Sequence, residues 1–163
     1  MKYKDEKFIK ICKPFMEHEE FIKMKGIKHH NESVFEHVVD VAYRSYKIAL
    51  KLNLDTKATI RGALLHDFYL YKFNKRMRIR LLFDSFSHAV NHPKIALENS
   101  KKYFKVNDKE SNIILSHMFP IRIPRYREAW VVTFVDKYLA VHEYYLNFKK
   151  LIKGKNSRIE EAA

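Results

Sequence analysis

Cysteine is almost missing from this chain of 163 residues, with Cys12 its single example. One cysteine excludes an internal disulfide framework and points to a reducing compartment. Glycine is scarce at 3 residues and proline sparse at 4. So few turn formers argue against a turn-rich all-β fold and for long helices. No apolar run nears the ~20 residues that span a bilayer. The opening Met1-Lys2-Tyr3-Lys4-Asp5-Glu6 lacks the apolar segment of a signal peptide. The expectation is a cytoplasmic protein with no membrane partner. Acidic residues are also short: 32 Lys and Arg stand against 19 Asp and Glu, a formal charge of +13. That excess calls for an anionic substrate or a polyanionic partner. A Lys-rich surface of purely compositional origin is the plain alternative.

What is present is core material. Hydrophobic residues make up 47% of the chain and aromatics 14%, enough for one domain around one core. The expected domain covers residues 1–150, followed by a charged, frayed tail at 151–163. Phe8, Ile11, Cys12 and Phe15, then Phe21 and Ile22, recur at helical spacing through 4–24. Pro14 marks a break or restart there, and Lys25-Gly26-Ile27 reads as a linker. Ser33 and Glu36 fit a capping box for a helix to about Leu52. Its inward stripe, Val34, Val38, Val41, Ala42, Ser45, Ile48, Ala49 and Leu52, runs beside His37. Asp55 or Thr56 caps the next helix, which ends near His66-Asp67. Gly62 inside it is unfavourable by roughly 1 kcal/mol against Ala, and close helix–helix contact would explain it.

Residues 68–86 mix aromatics with Lys72, Lys75, Arg76, Arg78 and Arg80, as a basic loop or short irregular helix would. Pro93 suits the first position of a new helix, which leaves His92 at that helix's edge. Asn107-Asp108 caps a further helix with His117 at its far end. Residues 118–126 read as a loop, and Glu128 to about Phe148 as the longest helix. There Asp136 interrupts an apolar run.

His37, His66 with Asp67, His92, His117 and Asp136 thus come from five helical segments. A buried His or Asp must be hydrogen-bonded, paired or metal-bound. Helical bundles build metal sites from ligands that converge from separate helices. For a lone His37 or Asp136 the alternative is a hydrogen-bonded core residue. For His92 and His117 it is a helix cap or loop residue.

The ordered set resembles the HD superfamily of metal-dependent phosphohydrolases, whose pattern is a His, a His-Asp doublet and a distant Asp. Here these are His37, His66-Asp67 and Asp136, and the resemblance covers roughly residues 30–145. Ala63-Leu64-Leu65-His66-Asp67 and Phe134-Val135-Asp136-Lys137 are similar to the family's wording. His92 and His117 match two further positions of its two-metal subset. The resemblance implies an all-α, single-domain helical bundle. It implies that His37, His66, Asp67 and Asp136 hold one metal, and that His92 and His117 hold a second with Asp67 bridging. Bacterial diadenosine tetraphosphate hydrolases of HD type and some cyclic-dinucleotide phosphodiesterases share the arrangement. The Gly-Tyr-Pro signature of one such phosphodiesterase group is missing here.

Mixed imidazole and carboxylate ligation suits Fe, Mn, Zn, Co or Ni, with Mg possible, better than Ca. Two ions would supply hydroxide and neutralise phosphate oxygens. Asp67 is then the catalytic carboxylate. Phosphate also needs protein cations. Lys137 is the first candidate, Arg122 and Arg125 the next, and the basic loop at 72–80 the last. His30 and His88 are candidate substrate groups. Glu128 and Glu143 are candidates to orient ligands, while His18 and His142 read as surface residues. The expected substrate is a nucleotide or similar phosphorylated metabolite, and a homodimer is compatible with the aromatic Tyr144, Tyr145 and Phe148. Two alternatives stand beside this reading. One is a single-metal enzyme acting on nucleoside monophosphates. The other is a non-catalytic module for nucleotides or nucleic acid, disfavoured by the want of a basic recognition helix or aromatic RNA motif.

Overall fold

In a computed structural model, which describes residues 3–29, 32–69 and 80–160, the chain is an all-α bundle. Helix α1 spans Glu6–Met16, α2 Glu19–Ile22, α3 Val34–Lys51, α4 Thr56–Leu65, α5 Arg80–Tyr103, α6 Asp108–Ser116 and α7 Arg127–Glu160. A 3-10 turn follows α2 at Lys23–Gly26, and strands β1 (Lys28–His29) and β2 (Glu32–Ser33) form a minimal antiparallel hairpin. No helix among the described residues is long and apolar enough to cross a membrane.

Helix starts follow local chemistry. Asp5 accepts from the Phe8 amide at 3.1 Å and Asp55 from that of Ala58 at 2.9 Å. Reciprocal capping boxes open α3 (Ser33 with Glu36) and α6 (Asn107 with Glu110), each satisfying two orphan donors. Glu110 also takes Arg61 Nε at 2.6 Å, so the α6 cap is tied to the side of α4.

The expected boundaries differ at several places. Helix α1 runs through Pro14 to Met16. The proline forfeits a bond to the Lys10 carbonyl, and burial of Phe8, Cys12 and Phe15 along one face carries the helix past it. Pro93 does not open a helix: it lies inside α5, so His92 is a mid-helix residue and not an edge one. Both His92 and Pro93 are buried, and packing of that turn outweighs the local preference of proline. The basic stretch divides. Arg80 opens α5, whereas Lys72, Lys75, Arg76 and Arg78 lie outside the described residues. Helix α7 continues beyond Phe148 to Glu160. His18 is no plain surface residue but the N-cap of α2, its Nδ1 accepting from the Glu20 amide.

The core forms around α4, which packs on α3, α6, α1 and α7. Seven of its residues, Ala58, Thr59, Ile60, Gly62, Ala63, Leu64 and Leu65, are buried, as befits a helix enclosed on nearly all sides. Beside it, the rings of Phe15, Phe21, Phe68 and Phe104 pack with neighbouring centroids 4.7–5.8 Å apart. Phe68 directly follows Asp67, and Asn99 Nδ2 donates to its carbonyl at 3.0 Å. Anchoring Phe68 therefore holds the backbone of the preceding carboxylate.

Gly62 is where α4 meets α6. A Cβ there would lie 2.7 Å from Ile113 Cδ1 and 2.9 Å from its Cβ. The Cβ contact cannot be relieved by turning a side-chain tip. Gly62→Ala is expected to lose up to about 2 kcal/mol net, overpacking of ~1–3 kcal/mol set against ~1 kcal/mol of helix propensity gained. Thermal unfolding followed by circular dichroism should show a Tm several degrees lower. An unchanged Tm would mean that the two helices yield at a cost no larger than the ~1 kcal/mol gained in helix propensity.

Candidate metal centre

Five helices deliver six side chains to one place. His37 comes from the first turn of α3, His92 from α5 and Asp136 from α7. His66 and His117 are the C-caps of α4 and α6, and Asp67 follows His66. All six are buried, at 8% exposure or less.

The two C-cap histidines are built alike. His66 Nδ1 lies 2.7 Å from the Ala63 carbonyl, and His117 Nδ1 lies 2.7 Å from that of Ile114. The last carbonyls of a helix lack partners within it, so each imidazole donates Nδ1–H to one of them. That bond sets the tautomer and turns the Nε2 lone pair inward. The partial negative charge at two helix C-termini also favours a cation in the space they face.

The remaining distances tie the set together. His37 Nε2 is 3.1 Å from Asp136 Oδ1 across 99 positions of sequence, and His66 Nε2 is 3.7 Å from the same oxygen. Asp67 looks both ways. Its Oδ2 is 3.6 Å from His66 Nε2, while its Oδ1 is 3.3 Å from His92 Nε2 and 3.4 Å from His117 Nε2. His92 Nε2 and His117 Nε2 approach to 2.7 Å. Even so, His66 Nε2 and Asp67 Oδ1 are buried without a well-formed hydrogen bond. Buried polar atoms left this way carry a desolvation penalty, which a shared cation would remove. Two groups could each hold a metal ion: His37, His66 and Asp67, and Asp67, His92 and His117, with Asp67 common to both. The donor set fits a divalent transition metal.

Electrostatics within the cluster are strong. Burial alone would raise the Asp67 carboxyl, but the imidazoles of His66, His117 and His92 outweigh it and hold the group well below the usual carboxylate range. Asp136 behaves likewise: burial opposes ionisation, and His37 and His66 overcome it. For His66, burial works against the proton, yet Asp67 and Asp136 lift the imidazole to about 9. His117 is pushed down, chiefly by burial.

The HD domain family matches residues 34–141, about two thirds of the chain. The chain belongs to that family. The HD domain marks the superfamily of metal-dependent phosphohydrolases, which bind divalent metals through clustered His and Asp side chains. No curated protein and no solved structure matches the chain significantly.

Around this HD cluster the other candidates separate. Lys137 sits at its rim: Nζ is 3.7 Å from Asp136 Oδ2 and donates to Met118 Sδ at 3.2 Å. Arg122 and Arg125 are exposed on the loop after His117, and no contact among the described residues brings either guanidinium to the cluster. His88 lies one turn before His92 on α5, its side chain outside the described ones, and His30 lies outside the described residues altogether. Glu128 does not orient a ligand. It accepts from the Asp55 amide at 3.0 Å and pairs with Lys109 Nζ at 2.9 Å, because the start of α7 lies against the α3–α4 turn rather than the cluster. Glu143 faces Glu32 electrostatically. His142 is exposed, as expected.

One neighbour of the cluster escaped the sequence reading. Glu32 Oε1 lies 3.9 Å from His37 Nδ1. Burial, then the charges of Asp40, Glu143 and Glu36, raise its carboxyl despite His37. A carboxylate behind a metal-capable imidazole is a recurrent arrangement. The hairpin that carries Glu32 has no signature in so short a polar stretch.

Proposed function

We propose that this HD domain is a metal-dependent phosphohydrolase that cleaves a phosphomonoester, phosphodiester or phosphoanhydride of a nucleotide or related phosphorylated metabolite. The observation that carries the reading is the division of Asp67 between two imidazole groups, Oδ1 toward His92 and His117 and Oδ2 toward His66. A carboxylate placed that way suits a bridge between two ions. On this reading His37, His66, Asp67 and Asp136 hold one ion, and Asp67, His92 and His117 the other. Bound metal supplies a hydroxide nucleophile near neutral pH and neutralises phosphate oxygens.

The chain's own groups do the rest. The Nδ1 bonds of His66 and His117 keep both rings oriented without reorganisation. Lys137, 42% exposed at its side chain, would pair with a phosphate oxygen from the rim. Arg122 and Arg125 serve the substrate only if their loop turns inward on binding, so they rank below Lys137. The charge of +13 favours encounter with an anionic substrate.

The test is a screen of nucleotides and dinucleotides with Mn, Fe, Co, Ni and Mg, together with elemental analysis of the purified protein. The expected result is hydrolysis with about two ions per chain. A stoichiometry near one would instead favour the single-metal enzyme. Strongly salt-dependent nucleic-acid binding without turnover would favour a binding module.

A further inference from the structure

Helix α7 has two apolar faces, and among the described residues only one is buried. Ala129, Val132, Val135 and Asp136 turn into the bundle. At about 100° per residue, the opposite side presents Phe134, Tyr138, Val141, Tyr145, Phe148 and Ile152, which are 46–69% exposed. None of the six belongs to the core. From Tyr144 onward no described residue of α7 is buried, yet the helix continues to Glu160. A helical stretch whose described side chains stay at or near the surface draws little stability from packing, and the exposed seam is where a second helix would add it.

The spacing identifies the partner. The six residues follow one another in steps of four, three, four, three and four, a 3.5-residue repeat that keeps one seam facing a second helix and seats its knobs in that helix's holes. A helix bearing the same repeat matches such a seam, and another copy of α7 bears it. The area agrees. At the roughly 150–250 Å² that a large side chain can bury, the exposed fractions amount to on the order of 600 Å² per copy. Trp130 and Phe119, whose rings meet at 5.2 Å, add to the N-terminal end. The total approaches the ~800 Å² per partner of a stable interface.

We infer that α7 is the interface of a homodimer, its exposed seam packed against the same seam of a second copy. The six seam residues are separate from the metal cluster, so the inference holds or fails independently of the proposed chemistry.

Sedimentation equilibrium of the full chain should give about twice the 19.6 kDa chain mass. Val141→Glu and Phe148→Glu keep a good helix former but bury charge in the seam. Each is expected to weaken self-association by at least about thirty-fold, the scale of one interface hot spot. Metal content should not change, and amides beyond Tyr144 should lose hydrogen-exchange protection. Ile123→Glu, at a residue 67% exposed outside the seam, should leave the dimer intact. A monomeric wild type would overturn the inference, as would a dimer that survives both Glu variants. So would a monomer that binds phosphatidylserine-containing vesicles and loses that binding on Val141→Glu, since the seam would then face a lipid surface.

Discussion

Asp67→Ala is expected to strip bound metal and reduce hydrolysis on the order of 10³-fold or more, because several kcal/mol of transition-state charge stabilisation leave with the metal. No other single change in the cluster should act so broadly. His92 and His117 would lose the carboxylate 3.3 and 3.4 Å away, and His66 the one at 3.6 Å. His92→Ala provides the contrast: it removes a donor from one group only, so one ion should persist. Elemental analysis and turnover on the same preparations decide the matter. A variant at position 67 that keeps its full metal content and rate would refute the bridging role. Folding is a separate question, and circular dichroism of the metal-free variant answers it. Phe68 remains anchored in its aromatic cluster, so the end of α4 should hold its place.

Metal affinity should rise steeply with pH. In the metal-free protein the His66 imidazole is held up to about 9 by Asp67 and Asp136, against the effect of burial. A ligand nitrogen must give up its proton before it can bind. Below pH 9 metal binding therefore releases a proton from His66, and the apparent affinity should climb by up to about tenfold per pH unit, roughly 50-fold from pH 7 to 9. Calorimetric titration in buffers of different ionisation enthalpy counts that proton directly. Binding without proton release, and with no pH dependence, would show that His66 enters already neutral.

Stability of the metal-free protein carries the same signature. His66 is raised in the folded state, so its contribution is complete below the unfolded value near 6.5 and fades as pH climbs through about 9. Asp67 and Asp136 are lowered. Their contribution is complete above the unfolded carboxylate value near 3.9 and fades as pH falls through their folded values. The window in which all three help lies between roughly pH 4 and 6.5. Bound metal should extend it upward, because a ligated His66 no longer depends on its proton.

Four residues of the centre were legible in the sequence because each stands against its local grain, while His92 and His117 were matched through the family resemblance. His37 lies beside an apolar stripe, Asp136 interrupts another, and His66-Asp67 closes a run of Ala and Leu. Helix starts were equally clear at Ser33, Asp55 and Asn107, since capping is a contact over three or four residues; the cap at Asp5 was not read. Continuity through Pro93 was not legible: proline's local cost favours a boundary, and burial of that turn within the bundle overrides it. The fate of Glu128 was equally hidden. Its partners, Asp55 and Lys109, lie 73 and 19 positions away, and no periodicity encodes a pairing of that kind. Both faces of α7 are apolar, and a pattern of that sort does not say which of them the bundle will cover.

The sequence by itself determined the helical class, the caps at Ser33, Asp55 and Asn107, and the identity of six metal-capable side chains, because those depend on composition, short spacing and residue chemistry. Only the tertiary structure decided that Asp67 divides its two oxygens between separate imidazole groups, that Nδ1 of His66 and of His117 is spent on a helix carbonyl, and that Lys137 stands at the rim while Arg122 and Arg125 remain outside. Distances across five helices are set by how the core packs around α4, and the sum of local preferences contains none of them.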